Sequence, residues 1–159
     1  MIKSVTDIDA AAPPEVLGTE DIRLLVEIGF MACGARHVRA ARAIFDGLET
    51  LRPGRAFIYV GSAMTSMSAG NPDEAVRLLR EEGLRQLPGN EELLVFLAMA
   101  LQEARCAGDS RRVLQALVDR PGESTAPQRL ALALLRPSDE GLPSPMRPSD
   151  LRARKLRSI

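Results

Sequence analysis

A chain of 159 residues is long enough to bury one sizeable core, and its 21 Lys and Arg against 21 Asp and Glu leave no net field to attract nucleic acid or an anionic membrane. No Trp, one Tyr and four Phe, with Ala, Leu, Arg and Glu dominant and alternating β-branched runs missing, predict an all-α fold. No apolar run reaches membrane-spanning length and no basic stretch leads into an apolar one at the N-terminus, so the expected location is the cytoplasm, without membrane insertion.

Residues 1–18 are small and polar, with Ala10 to Ala12 leading into Pro13-Pro14, and read as a flexible arm. The first helix opens at Thr19 as N-cap, with Glu20 and Asp21 in its first turn. Leu24, Leu25, Ile28 and Ala32, flanked by Val26 and Phe30, give it a wide apolar face, and Cys33-Gly34 closes it. The second helix runs from about His37 to Leu51, turns Ala41, Ile44, Phe45 and Leu48 inward, and ends at Pro53-Gly54.

The stretch from Ala56 to Pro88 reads as a helical hairpin. Gly70 takes the left-handed conformation that closes the third helix; Asn71 caps the fourth and Pro72 occupies its first position, followed by Asp73 and Glu74 on the positive end of the dipole. Ala75, Val76, Leu78 and Leu79 supply the apolar face, and Pro88-Gly89 stops the helix. A fifth helix is expected over Glu91 to Ala107, broken by Gly108-Asp109, a sixth over Ser110 to Asp119 before Pro121-Gly122, and a seventh over Thr125 to Leu135. From 136 to 159, Pro137, Pro143, Pro145 and Pro148 forbid continuous helix, and Arg152, Arg154, Lys155 and Arg157 make the end basic. This reads as a mostly disordered, solvated tail; the alternative is a short basic helix that docks on an acidic partner.

Residues that carry chemistry are few. Cys33 and Cys106 lie in helical stretches without CxxC spacing, as thiols of a reducing compartment. His37, the one histidine, sits in a polar turn between Arg36 and Arg39 and reads as an exposed spacer, not a general base. The acidic pairs Asp73-Glu74, Glu81-Glu82 and Glu91-Glu92 are explained by helix starts and solvent faces. Neither a Gly-rich phosphate loop nor a nucleophile elbow occurs, so no catalytic residue, metal or cofactor is expected and the protein is not read as an enzyme.

The strongest signal is a repeat. Pro-Gly follows a helix at 53–54, 88–89 and 121–122, spacings of 35 and 33 that bracket the 34-residue period of tetratricopeptide repeats. Leu25, Ile28, Gly29, Ala32, Ala41, Phe45 and Pro53 fall in that register, although Ala32 stands where a bulky residue is usual. In the second unit Tyr59, Ala63, Gly70, Ala75 and Leu79 match, with Pro88 one residue late; in the third Leu94, Leu97 and Ala98 match, with Gly108 and Val113 about three residues late. Gly29, Ala63 and Ala98 are small where two helices must cross closely. The expectation is three stacked hairpins of tetratricopeptide type in a short right-handed solenoid over 19–135, with a C-terminal packing helix.

A chain of this size with three such repeats, with Leu24-Leu25-Val26-Glu27-Ile28-Gly29, Cys33-Gly34, Ala40-Ala41-Arg42-Ala43-Ile44-Phe45 and Leu51-Arg52-Pro53, resembles the YscG- and YscY-type cytosolic chaperones of bacterial type III secretion systems. That resemblance, which covers about Thr19 to Val118, implies a bacterial cytoplasmic protein that holds a small, helical, aggregation-prone secretion subunit until export.

In a tetratricopeptide stack the first helix of each hairpin lines the concave side. Phe57, Val60, Met64 and Met67 form one stripe on the third helix, and the register adds Val26 and Phe30 from the first hairpin and Val95 and Met99 from the third. These eight residues are the candidate groove for an amphipathic helix of a protein partner, since methionine adapts its shape to what it covers. The alternative is that the stripe is core. Three functions stay open: a secretion chaperone, a general adaptor, and a self-associating module whose stripe makes a homodimer.

Overall fold

The computed structural model describes residues 17–136, and every regular element among them is a helix. The expected arm as far as 16 and the Pro-rich tail from 137 lie outside the described residues. The helices are α1 (Thr19–Gly34), α2 (Val38–Leu51), α3 (Ala56–Ser68), α4 (72–86), α5 (Glu91–Glu103), α6 (Ala107–Val118) and α7 (Ala126–Leu135). Within α4 the backbone is α-helical over Pro72–Arg77, widens to a π-helical turn over Leu78–Gly83 and closes with Leu84–Gln86.

Local chemistry sets the ends, not always where the sequence suggests. Gly18 rather than Thr19 caps α1, and the Asp21 carboxylate accepts from the Gly18 N–H at 3.0 Å. Asn71 precedes α4 but makes no side-chain capping bond. At α7 the Thr125 hydroxyl accepts from the Gln128 N–H while the Gln128 amide oxygen accepts from the Thr125 N–H, a reciprocal cap. The expected break at Gly108-Asp109 is absent, because α5 ends at Glu103 and Gly108 lies in the first turn of α6.

The turns inside the three hairpins have one geometry. His37, Asn71 and Cys106 donate their N–H to Ala32, Ser66 and Leu101, five residues back; Arg36, Gly70 and Arg105 donate to Cys33, Met67 and Gln102, three residues back. This is the Schellman closure, and it places Arg36, Gly70 and Arg105 at positive φ of 58°, 82° and 63°. The turns between hairpins reverse at Gly54, Gly89 and Gly122, also at positive φ.

Equivalent positions therefore recur with a measurable step. Gly29 and Ala63, Arg36 and Gly70, Ala41 and Ala75, and Phe45 and Leu79 are each separated by 34; Gly54 and Gly89, Ala63 and Ala98, Gly70 and Arg105, Ala75 and Ser110, and Leu79 and Leu114 by 35. The change falls between Leu79 and Gly89, where α4 widens to its π turn. One extra residue is taken up there without disturbing the helix on either side, which is how Pro88 comes one residue late. The third hairpin is not displaced: Ser110 and Leu114, rather than Gly108 and Val113, hold the positions of Ala75 and Leu79, and both are buried.

Packing follows the hairpins. α1 contacts α2 and α3; α3 contacts α4 and α5 as well; α4 contacts α5; α7 contacts α5 and α6. The phenyl ring of Phe45, 1% exposed, sits between two glycines: a Cβ on Gly29 would lie 2.8 Å from it and one on Gly61 2.1 Å. Ala41, Ala63, Ala75 and Ala98 are likewise buried at helix contacts, while Gly70 is exposed and needed for its turn. Leu24 and Ile28, read as part of the wide apolar face of α1, are exposed, because no described helix packs on that side of it.

Polar side chains tie neighbouring elements where the ladder of backbone bonds stops. Ser68 donates to the Cys33 carbonyl at 2.9 Å and Ser110 to the Ala98 carbonyl at 2.8 Å. The Gln128 amide donates to the Leu117 and Arg120 carbonyls, which fastens α7 to the free end of α6.

Candidate protein-binding groove

The eight stripe residues divide into three groups. Val26 and Phe30 of α1 and Phe57 of α3 share a cavity of about 750 Å³ with Ile22, open to solvent between the two helices. Phe30 packs on the Phe45 ring, at 5.3 Å between centroids and a 54° tilt, within the range at which aromatic pairs attract. Met64 is half-buried at the seam between the first and second hairpin cores, and Met67 and Met99 are half-buried beside the second and third.

Val60 and Val95 do not belong to the groove. α5 packs on α3 and buries Val60 completely with Tyr59, Leu93 and Leu97. Val95 is 1% exposed in a cluster with Leu114, Leu117 and Ala131, because α7 covers that side of α5. The long stripe drawn from the sequence is thus interrupted at the middle hairpin and capped at the last, and its open part lies at α1 and the start of α3. A smaller apolar recess of about 270 Å³ remains between α5 and α7, against Phe96, Pro127 and Leu130.

The mouth of the large cavity is charged. Arg23 on α1 and Arg52 and Arg55 on the α2–α3 turn stand around it, with Glu27 as the acidic group, paired to Arg23 at 3.1 Å. With Arg23 already paired to Glu27, the exposed Arg55 guanidinium beside Phe57 adds a further cation at the mouth, although the whole chain is neutral. These arginines were missed in the sequence because Arg52-Pro53-Gly54-Arg55 reads first as a turn; their position on either side of it, next to Phe57, was the available signal.

The buried Cys33 thiol lies 3.4 Å from the Thr65 hydroxyl, which itself donates to the Gly61 carbonyl; Cys106 and His37 are exposed. A polar recess of about 250 Å³ between α2, α3 and α4 holds Arg42, Asp46, Glu49 and Glu74. Hydrogen bonds from Arg77 hold the Glu74 carboxyl below the usual carboxylate range. Among the described residues no group of three His, Cys, Asp or Glu side chains is placed to hold a metal ion, and no helix is long and apolar enough to cross a membrane. Compared with protein-family models, curated proteins and solved structures, the chain matches none of them.

Proposed function

We propose that this chain is a protein-binding helical-repeat module of tetratricopeptide type, its three hairpins stacked as a short right-handed solenoid, and that the groove between α1 and α3 receives one amphipathic helix with acidic flanks. The observation that carries this reading is the composition of that groove: Ile22, Val26, Phe30 and Phe57 on its walls, and the exposed Arg55 at its mouth beside the Arg23–Glu27 pair. Apolar anchors spaced at i, i+3, i+4 and i+7 would fill the cavity, and carboxylates beside them would meet the arginines. The recurrence of the turns and of the small crossing residues at steps of 33 to 35 residues supports the repeat assignment. The sequence resemblance gives the finer reading, in which the occupant is a subunit of a secretion system and this chain its cytoplasmic chaperone; a general adaptor would use the same groove for another partner.

The test uses two labelled 18-residue helical peptides with identical leucine faces, one with glutamates and one with lysines on the flanks. Fluorescence anisotropy should show the acidic peptide binding at least tenfold tighter, and Arg55→Glu should remove the preference without changing the thermal melt, since Arg55 is exposed. Equal binding of both peptides, or none of either, would refute the groove as its walls and rim are described.

A further inference from the structure

α1 carries a second apolar face, turned away from the groove. Leu24, Ile28 and Met31 follow one another at i, i+4 and i+7 and are 56%, 42% and 72% exposed. α2 and α3 pack on the other sides of α1, and no described element covers this one. Three large aliphatic side chains in a row on an edge helix form a patch of the kind that marks an interface. The charges at its two ends are opposite: Glu20 and Asp21 occupy the first turn, and Arg36, His37 and Arg39 follow the last.

We propose that this face binds a second copy of the chain, α1 lying antiparallel to α1 across a two-fold axis at Ile28. That orientation brings the first turn of one α1, with Glu20, to the turn that follows the other α1, with Arg36, at both ends of the contact. Met31 then faces Leu25 and Leu24 faces Ala32, Leu25 and Ala32 being half-buried at the edge of the first core, so the exposed face of each copy is covered by apolar side chains of the other. A parallel pairing would instead set Glu20 beside Glu20 and Arg36 beside Arg36. Two four-turn helices laid together reach roughly 1,000 Å² of covered surface, the lower limit for a specific contact, so a dimer that dissociates in the micromolar range is expected. Self-association through this face is independent of the groove, which opens on the other side of α1.

Sedimentation velocity of the full chain from about 1 to 100 μM tests the assignment. The expected result is a monomer–dimer equilibrium that Met31→Glu shifts at least tenfold toward monomer, with an unchanged thermal melt because Met31 is the most exposed of the three. Glu20→Arg and Arg36→Glu should each weaken the dimer, and the two together should restore it. A monomer at every concentration would overturn the proposal and give this face to a different protein. A dimer indifferent to Met31→Glu would overturn it as well, and failure of the double replacement to rescue would overturn the antiparallel register.

Discussion

Gly61 is the position at which one methyl group should matter most. It lies in the interior of α3, where Ala would ordinarily stabilise a helix by about 1 kcal/mol. Here the added Cβ would stand 2.1 to 2.3 Å from three atoms of the Phe45 ring, far inside van der Waals contact. The ring cannot withdraw, because it is buried and Gly29 of α1 presses on its other edge. Overpacking of this severity costs about 3 kcal/mol or more, so Gly61→Ala should be destabilising by about 2 kcal/mol net of the propensity gain. Gly47 in the interior of α2 has open space around its Cβ position, and Gly47→Ala should stabilise by about 0.5–1 kcal/mol. In urea unfolding, with a slope near 2 kcal/mol/M, the midpoint should fall about 1 M for Gly61→Ala and rise by a few tenths for Gly47→Ala. Phe45→Leu should recover part of the loss in the Gly61→Ala background and none in the wild type. A Gly61→Ala protein as stable as the wild type would refute the close approach of α1, α2 and α3 around that ring.

Arg105 holds a left-handed turn that suits glycine, so Arg105→Gly should raise stability by about 0.5–1 kcal/mol, read as a higher urea midpoint. The same change at Arg36 should stabilise the fold equally yet loosen self-association, because it removes the cation opposite Glu20. Glu74 has its carboxyl held low by Arg77, so its contribution is present above the unfolded value near 4.3 and is lost as pH falls through the folded value. Wild type should exceed Glu74→Gln slightly in urea midpoint above about pH 5 and converge with it toward pH 3.

The hairpins were legible because their reversals are written in residues with a single conformational meaning. Pro53-Gly54, Pro88-Gly89 and Pro121-Gly122 stop helices whatever surrounds them, and Gly70 announces a left-handed turn. Arg36 and Arg105 adopt that same turn without announcing it, since the Schellman bonds and the packing of the flanking helices hold them there. The third hairpin consequently looked shifted to the next glycine, Gly108, although its buried Ser110 and Leu114 keep the spacing. Ser110 escaped notice because a small buried side chain at a crossing need not be Ala when its hydroxyl can reach the Ala98 carbonyl. Thr125 and Gln128 have the spacing of a reciprocal cap, a signal that was passed over when the seventh helix was begun at Thr125 itself.

The groove was half legible for a related reason. Helical periodicity identifies which residues share a stripe, and Phe57, Val60, Met64 and Met67 do share one. It cannot tell which part of a stripe a neighbouring helix will cover. α3, in the middle, touches helices on both sides and loses Val60 to the core; α1, at the edge, keeps two faces open, one lined by Val26 and Phe30 and the other by Leu24, Ile28 and Met31. Position in the stack, more than side-chain type, separates a binding residue from a core residue here.

The π turn of α4 allows a sharper test of the repeat than any point substitution. Deleting one residue from an α-helix rotates everything beyond it by about 100° and carries its buried face into solvent. In α4, however, the spacing grows from 34 to 35 between Leu79 and Gly89, and the wide turn Leu78–Gly83 occupies that interval. If the turn holds one inserted residue, its removal closes the backbone to ordinary α-helix while Ala75 before it, Leu79 at its start and Leu84 and Leu87 after it keep their contacts with the second core. Glu81 is the residue to remove: it is exposed and only grazes Arg77, at 4.0 Å. The deletion should leave a cooperative urea transition within about 1 kcal/mol of wild type, near the size of a surface change. Deletion of the exposed Gln115 from α6, which has no such turn, should abolish cooperative unfolding by throwing Leu117 out of the third core. Equal damage from the two deletions would mean that the π turn is a constrained part of the hairpin and not an inserted residue.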